Sequence, residues 1–340
     1  MSRALGLAWL ALLVTLPAWM GDPYYLHVLI VTGIFVIAAM SLNLLLGYTG
    51  QLSLGHVAFF GIGAYTSALL SLGFDLDVGG GRTLLVGPHP VWLAMLAGVA
   101  VAGLFGWVIG RLSFKVRGAY FVIVTISFAE VVRLVALNWI DLTQGPMALN
   151  AIPPLSVSIP GLWELTFYKK VPNYYVVLAV AAFSYLIIRR LVRSRAGRAM
   201  VALKENEPLA ASVGIDVTHY LVVAAVVSAA MAGAAGVLYA HYVRIIDPDV
   251  FLFIYTVTMV IMVITGGKGT LAGPVVGGLV FGIVPEVLRE LAAPEVQWIV
   301  YGALMILIVF FLPRGIVPAV TGLWARITAR PPLVERRPAE

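Results

Sequence analysis

Glu130 and Arg133 are the charged pair best placed to do chemistry in this chain, because both lie inside an apolar run, FVIVTISFAEVVRLVALN. Three residues apart, they share one face of a helix. Counting from Gly118 at about 1.5 Å per residue puts Glu130 roughly 18 Å along that helix, just past the centre of a bilayer. A charge there costs about 2.5–3.5 kcal/mol on insertion scales. Two such charges imply an ion pair, a partner on another helix or a wet cavity. They would serve as a polar gate or as a lock that only fixes helix registry. A second polar group interrupts residues 41–70, SLNLLLGYTGQLSLGHVAFFGIGAYTSALL. It comprises Asn43, Thr49, Gln51, Ser53, His56, Tyr65 and Thr66, with glycines at 47, 50, 55, 61 and 63. In hydrocarbon a broken helix survives only where protein or a water-filled cavity satisfies its backbone. Discontinuous helices at a midplane site are a device of transporters. The residues expected beside a polar path are Asn43, Gln51, Ser53, His56, Thr125, Glu130 and Arg133. The bland alternative is helix packing through small residues, with polar groups bonded to their own helix.

Other chemistries are poorly supplied. The chain has no cysteine, which removes disulfides and thiolate chemistry. Its histidines, at 27, 56, 89, 219 and 241, are scattered, and no metal site is expected. Gly266-Gly267-Lys268-Gly269-Thr270 superficially suggests a phosphate loop, but that motif needs glycine where Met262 stands and Ser or Thr where Gly269 stands. No H-E-x-x-H or G-x-S-x-G occurs. No catalytic residue is expected, and no cofactor bound by this chain.

The elements that must position these side chains are lipid-soluble. The 340 residues are 61% hydrophobic and 11% charged, whereas soluble domains carry about 25% charged residues. Apolar blocks of roughly twenty residues match the hydrocarbon thickness as helices. The expected class is an all-α polytopic membrane protein of about ten transmembrane helices. The candidate spans are 4–20, 24–46, 51–72, 91–110, 119–139, 174–190, 219–241, 251–266, 270–291 and 296–312. The first is read as an uncleaved anchor rather than a signal peptide, since no small-x-small cleavage site precedes Asp22. Basic residues set the orientation. With both termini cytoplasmic, the inside segments collect most of the 22 Lys and Arg, among them Arg111, Lys115, Arg189, Arg190, Arg193, Arg195, Arg198, Lys204 and Lys268. The net charge of +6 therefore reflects orientation and not nucleic-acid binding.

Residues 1–312 form one transmembrane domain on this reading, and the basic, proline-containing tail 313–340 is expected to be disordered. Outside loops cover 74–90 and 140–173, the latter proline-rich, irregular and able to hold a short lateral helix. The spacings Gly106/Gly110, Gly273/Gly277 and Gly278/Gly282 predict close helix packing without saying against what. Gly50–Gly55 faintly echoes Gly269–Gly273, too briefly to establish a repeat.

One polar island breaks the pattern, 189–218, containing RRLVRSRAGRAMVALKENEPLAASVGID. Arg198 to Lys204 favour helix. Pro208 suits a first helical turn, capped by Asn206 or Glu207. Gly214 ends it and Asp216 caps the next span. Two short capped helices on the membrane face, with Leu203, Leu209 and Val213 as apolar knobs, are more than a solvated loop needs. They predict a docking surface for a separate cytoplasmic protein.

Four ordered blocks carry a resemblance. SLNLLLGYTGQLSLGHVAFFGIGAY, the run Arg117–Leu134, the run Gly197–Ile215 and the run Thr265–Gly278 resemble the permeases of ABC importers for branched-chain amino acids, LivM type. The resemblance implies a non-catalytic subunit in a bacterial inner membrane that forms half of a path for hydrophobic amino acids. It implies a second homologous permease, two cytoplasmic ATPases that bind ATP-Mg, and a periplasmic substrate-binding protein. It assigns the ATPase contact to Arg195, Gly197, Arg198, Ala199, Leu203, Glu207, Ala210, Ala211 and Gly214. Alternatives are a related urea or short-amide importer, an ion-coupled secondary transporter that would explain Glu130 and Arg133 without an ATPase, and an integral membrane enzyme.

Overall fold

The fold is described from a computed structural model covering residues 13–17, 19, 22–77, 83–116, 118–159, 163–289, 299, 302–303, 306–308 and 310–328. The candidate span 4–20 lies largely, the span 296–312 in part, and the tail beyond 328 wholly outside these residues. Within them the chain is mostly helical, and five helices are long and apolar enough to cross a membrane. The first is α1, Pro23–Asn43, which continues as a π-helical turn, Leu44–Thr49. The others are α3 (Val91–Ser113), α4 (Ala119–Asn138), α5 (Lys170–Arg193) and α8 (Val217–Val243). Three shorter apolar helices are α2 (Val57–Leu72), α9 (Phe253–Gly266) and α10 (Gly273–Arg289). Between α5 and α8 stand α6 (Arg195–Glu205) and α7 (Glu207–Ser212), and α11 (Ile316–Thr328) follows near the end.

Local chemistry starts these helices where the sequence provides for it. Asp22 caps α1 by accepting from Tyr24 N at 2.8 Å, with Pro23 in the first turn. The helices then sort by depth. α1 with its π turn is 72% buried and α8 67% buried over their most apolar windows, while α4 is 22% and α5 17%. The centre is therefore α1 and α8, with α2 and α3 packed on them. Small residues let the backbones meet. A methyl on Gly63 would lie 2.5 Å from Gly233 O, and one on Gly98 2.6 Å from Gly63 O, so α2, α3 and α8 cross at one glycine junction. The glycine spacings find their partners too. Gly106 and Gly110 seat Ala229 and Ala225 of α8, and Gly278 and Gly282 seat Val36 and Thr32 of α1.

The two membrane faces differ. On one face the loops are tied to each other: Leu149 pairs with Ile246, Arg244 Nε donates to Ile152 O at 3.1 Å, and Lys170 Nζ donates to Pro23 O at 3.0 Å. Here the structure departs from a purely helical reading. Two antiparallel hairpins project, β1 (Phe74–Asp77) with β2 (Thr83–Val86), and β3 (Ser156–Ile159) with β4 (Trp163–Thr166). The lateral helix of the second loop is a single turn, Ile140–Thr143. The opposite face carries α6 and α7, the π turn and the 267–272 loop.

Candidate functional site

The span expected at 51–72 is not one helix. The π turn ends at Gly50, whose φ of +75° suits glycine, and residues 50–55 run without helical structure until α2 begins at Val57. Leu45 O marks the exit, accepting from Thr49 Oγ1 at 2.7 Å and from Gln51 N at 3.1 Å. π turns of this kind are frequent at functional sites.

Two threonine hydroxyls satisfy the opened backbone. Leu54 N donates to Thr125 Oγ1 of α4 at 3.2 Å, and Val57 N donates to Thr256 Oγ1 of α9 at 3.1 Å. Thr125 Oγ1 itself donates to Val122 O at 2.8 Å. Gly55 packs so closely on α4 that a methyl would overlap Thr125 O. Thr125 is roughly 9 Å along α4 from its start, and Thr256 roughly 15 Å from the end of α9. The interruption therefore carries the chain from the island face to mid-membrane depth, with protein and not lipid meeting its polar groups. From the opposite face, Pro248–Phe251 forms a 3-10 turn before α9. Phe251 stacks on Tyr65 of α2 with ring centroids 5.6 Å apart. Both irregular segments pack against α4.

His56 stands at the inner end of the break and is fully buried. Its Nε2 lies 2.8 Å from Ser41 Oγ. Ser41 Oγ donates to Ala38 O at 2.7 Å, so it accepts from His56, which fixes the proton on Nε2. Ser228 Oγ of α8 donates to Ser41 O at 2.5 Å. His56 thus belongs to a ladder joining α1, α2 and α8, and its Nδ1 has no partner among the described residues.

Among the expected path residues, Gln51, Ser53, His56 and Thr125 come together at the break. Gln51 is half-buried and the other three are buried. Glu130 and Arg133 pair with each other, Arg133 Nη2 to Glu130 Oε1 at 2.7 Å, on the outward face of α4 about 7.5 Å beyond Thr125. Asn43 is elsewhere. It is buried, its Oδ1 accepts from Gly269 N at 2.9 Å and its Nδ2 donates to Thr270 O at 2.9 Å. Asn43 therefore fastens the 267–272 loop to the π turn. Asn43→Leu leaves two half-buried backbone groups without this partner, at up to about 1–3 kcal/mol each. A lowered thermal midpoint of the detergent-purified protein is the expected result, and an unchanged midpoint would contradict this role.

The island has the two capped helices. Ser194 and Asn206 cap α6 and α7, and Asp216 caps α8 by accepting from His219 N at 2.9 Å. Gly214, with φ +87°, closes α7. The structure sorts the expected docking residues into two sets. Gly197, Ala199, Leu203 and Ala210 are buried and seat the island on its own chain. Leu203 therefore faces inward, not outward as a knob. Arg195, Arg198, Ala211 and Gly214 are exposed and Glu207 is half-buried. Leu209 is 62% and Val213 71% exposed, large apolar side chains on a polar face. The seat includes Lys204, a residue outside the expected docking set. A methyl on Gly50 would lie 3.3 Å from Lys204 Cγ, and one on Gly269 would lie 3.5 Å from Lys204 Nζ. The island thus rests on the start of the break and on the loop held by Asn43.

Comparison with known proteins follows the same lines. The family described as branched-chain amino acid transport system / permease component matches residues 24–309. The chain is 30% identical over 329 residues to the high-affinity branched-chain amino acid transport system permease protein LivM of Salmonella typhimurium, covering 91% of this chain and 74% of that protein. Identity to LivM of Escherichia coli is 30% over 328 residues, with 91% and 74% covered. LivH of Escherichia coli, also a permease protein of such a system, is 27% identical over 298 residues, covering 83% of this chain and 90% of its own length. No solved structure matches.

Proposed function

Because the chain belongs to the family of permease components of branched-chain amino acid transport systems, we propose that it forms half of an ATP-driven import path for hydrophobic amino acids in a bacterial inner membrane. The relatives include both LivM and LivH, which supports a second, homologous permease as the other half. The ATP-Mg sites belong to two cytoplasmic ATPases that dock on the island, and a periplasmic binding protein delivers substrate. The chain itself performs no catalysis.

The observation that carries this reading is the seat of α6 on the break. Force applied at the exposed residues Arg195, Arg198, Leu209 and Val213 passes through Lys204 to Gly50 and to the 267–272 loop. The break moves against α4 without unwinding a helix, because α2 begins only at Val57. The solute moves along α4, past the Glu130–Arg133 pair and then past Ser53 and Gln51. An ion pair on a mostly exposed helix face is costly against lipid. An aqueous path or a second subunit covers it.

Proteoliposomes test the reading. With the second permease, both ATPases and the binding protein present, leucine uptake is expected only with ATP. Uptake by this chain alone on an ion gradient would overturn the ATPase assignment, and uptake of urea instead of leucine would overturn the substrate. The absence of cysteine gives a clean background for labelling. Glu130→Cys is expected to react with a membrane-impermeant maleimide, and Leu186→Cys, on the exposed flank of α5, to stay unlabelled. Equal labelling would remove Glu130 from the path.

A further inference from the structure

A groove of about 620 Å³ opens between α3 and α8 on the island side of the molecule, away from the break. Its mouth holds Arg111, Asp216 and His219, and its floor is Trp107 with a valine strip that includes Val222 and Val226. Arg111 lies over the Trp107 ring, 5.8 Å from its centroid. Asp216 Oδ1 accepts from His219 N. Among the described residues, neither Arg111 nor Asp216 forms an ion pair, although both line one mouth. Two opposite charges are thus held apart, each open to an outside group.

The groove continues onto an apolar stripe of α3, where Leu104 is 56%, Trp107 45% and Leu112 58% exposed. Tryptophan at the end of a spanning helix marks the interfacial layer. From Asp216 to Val227 the wall runs roughly 16 Å, about half the hydrocarbon thickness and so one leaflet deep. The shape is that of a phospholipid: polar head at the mouth, one acyl chain along the valines. The charges select the head. Arg111 suits a phosphate, as basic pockets between spanning helices do. Asp216 suits a cation a few ångströms away and repels a purely anionic head. We propose that this groove binds one aminophospholipid from the bilayer, phosphate on Arg111 and ammonium at Asp216.

Native mass spectrometry of the assembled complex, taken from nanodiscs of equal phosphatidylethanolamine and phosphatidylglycerol, tests this. The wild type is expected to retain phosphatidylethanolamine preferentially. Arg111→Gln should lower that retention about fivefold. Asp216→Asn keeps the helix cap and should abolish the preference between the two lipids. A preference for phosphatidylglycerol, no retained lipid, or equal retention by wild type and Arg111→Gln would each overturn the proposal. Should a variant fail to assemble, wild-type complex exposed to phosphatidylethanolamine with a diazirine acyl chain supplies the answer. Label on the peptide containing Val222–Val227 supports the site, and its absence there refutes it.

Discussion

Valine at Gly55 is expected to prevent this protein from reaching its folded state in the membrane. The side chain would enter the space of Thr125 O, a backbone atom of a continuous helix that has no rotamer to change. Relief requires the break to leave α4, which also strips Leu54 N from Thr125 Oγ1. Overpacking of this kind costs about 1–3 kcal/mol or more, and the stranded donor about 1–3 kcal/mol again. Together these approach the lower end of the roughly 5–15 kcal/mol that holds a folded domain. Alanine should show a partial form of the same defect. Fluorescence-detected size exclusion after a temperature series reads the result, with Gly322→Ala, where a methyl meets nothing within 4 Å, as the neutral control. A Gly55→Val protein as monodisperse and heat-resistant as the control would show that the close approach to α4 is wrong.

The second large effect belongs to the exposed side of the island. Arg198→Glu reverses an exposed charge whose side chain, among the described residues, donates to Arg193 O at 3.3 Å, so the fold has little reason to respond. Gly214→Pro forbids the positive φ that closes α7 and removes the bond from Gly214 N to Ala211 O. Both are expected to leave membrane insertion intact and to lower ATP-driven uptake at least about tenfold, the loss typical of a hot-spot contact. The ratio of solute moved to ATP hydrolysed, measured in proteoliposomes, reads the coupling directly. Normal uptake in both variants would refute the island as the docking site. Leu203→Asp gives the contrast: buried against the body, it should damage folding rather than coupling alone.

What could be read from the sequence was whatever a few neighbouring residues decide. Asn206, Pro208, Gly214 and Asp216 punctuate the island by local capping chemistry, and the two helices lie where those residues put them. The glycine spacings announced close packing because small residues have little other use in a spanning helix. Their partners were not legible, since Ala225, Ala229, Thr32 and Val36 are far away in sequence. The side of α6 that faces its own chain was equally hidden. Leu203 and Leu209 look alike as exposed apolar knobs until the rest of the chain is there to bury one of them. The break was visible as a polar, glycine-rich stretch, but its supports were not. Thr256 in FIYTVTMV reads as a threonine bonded to its own helix, and only the approach of Val57 N gives its hydroxyl a second role. The hairpins went unread because their short strands flank glycines and prolines that announce turns more loudly than pairing.

The two hydroxyls under residues 54–57 have a mechanical consequence. A helical ladder resists sliding because several bonds must part together. Here two rotatable side chains, each reached through a single torsion, receive the donors of the opened strand. Such bearings let a segment re-index against its neighbours by exchanging one acceptor at a time. Thr125→Val and Thr256→Val, which keep the volume and remove the oxygen, should therefore alter how fast the protein changes conformation more than where its helices rest.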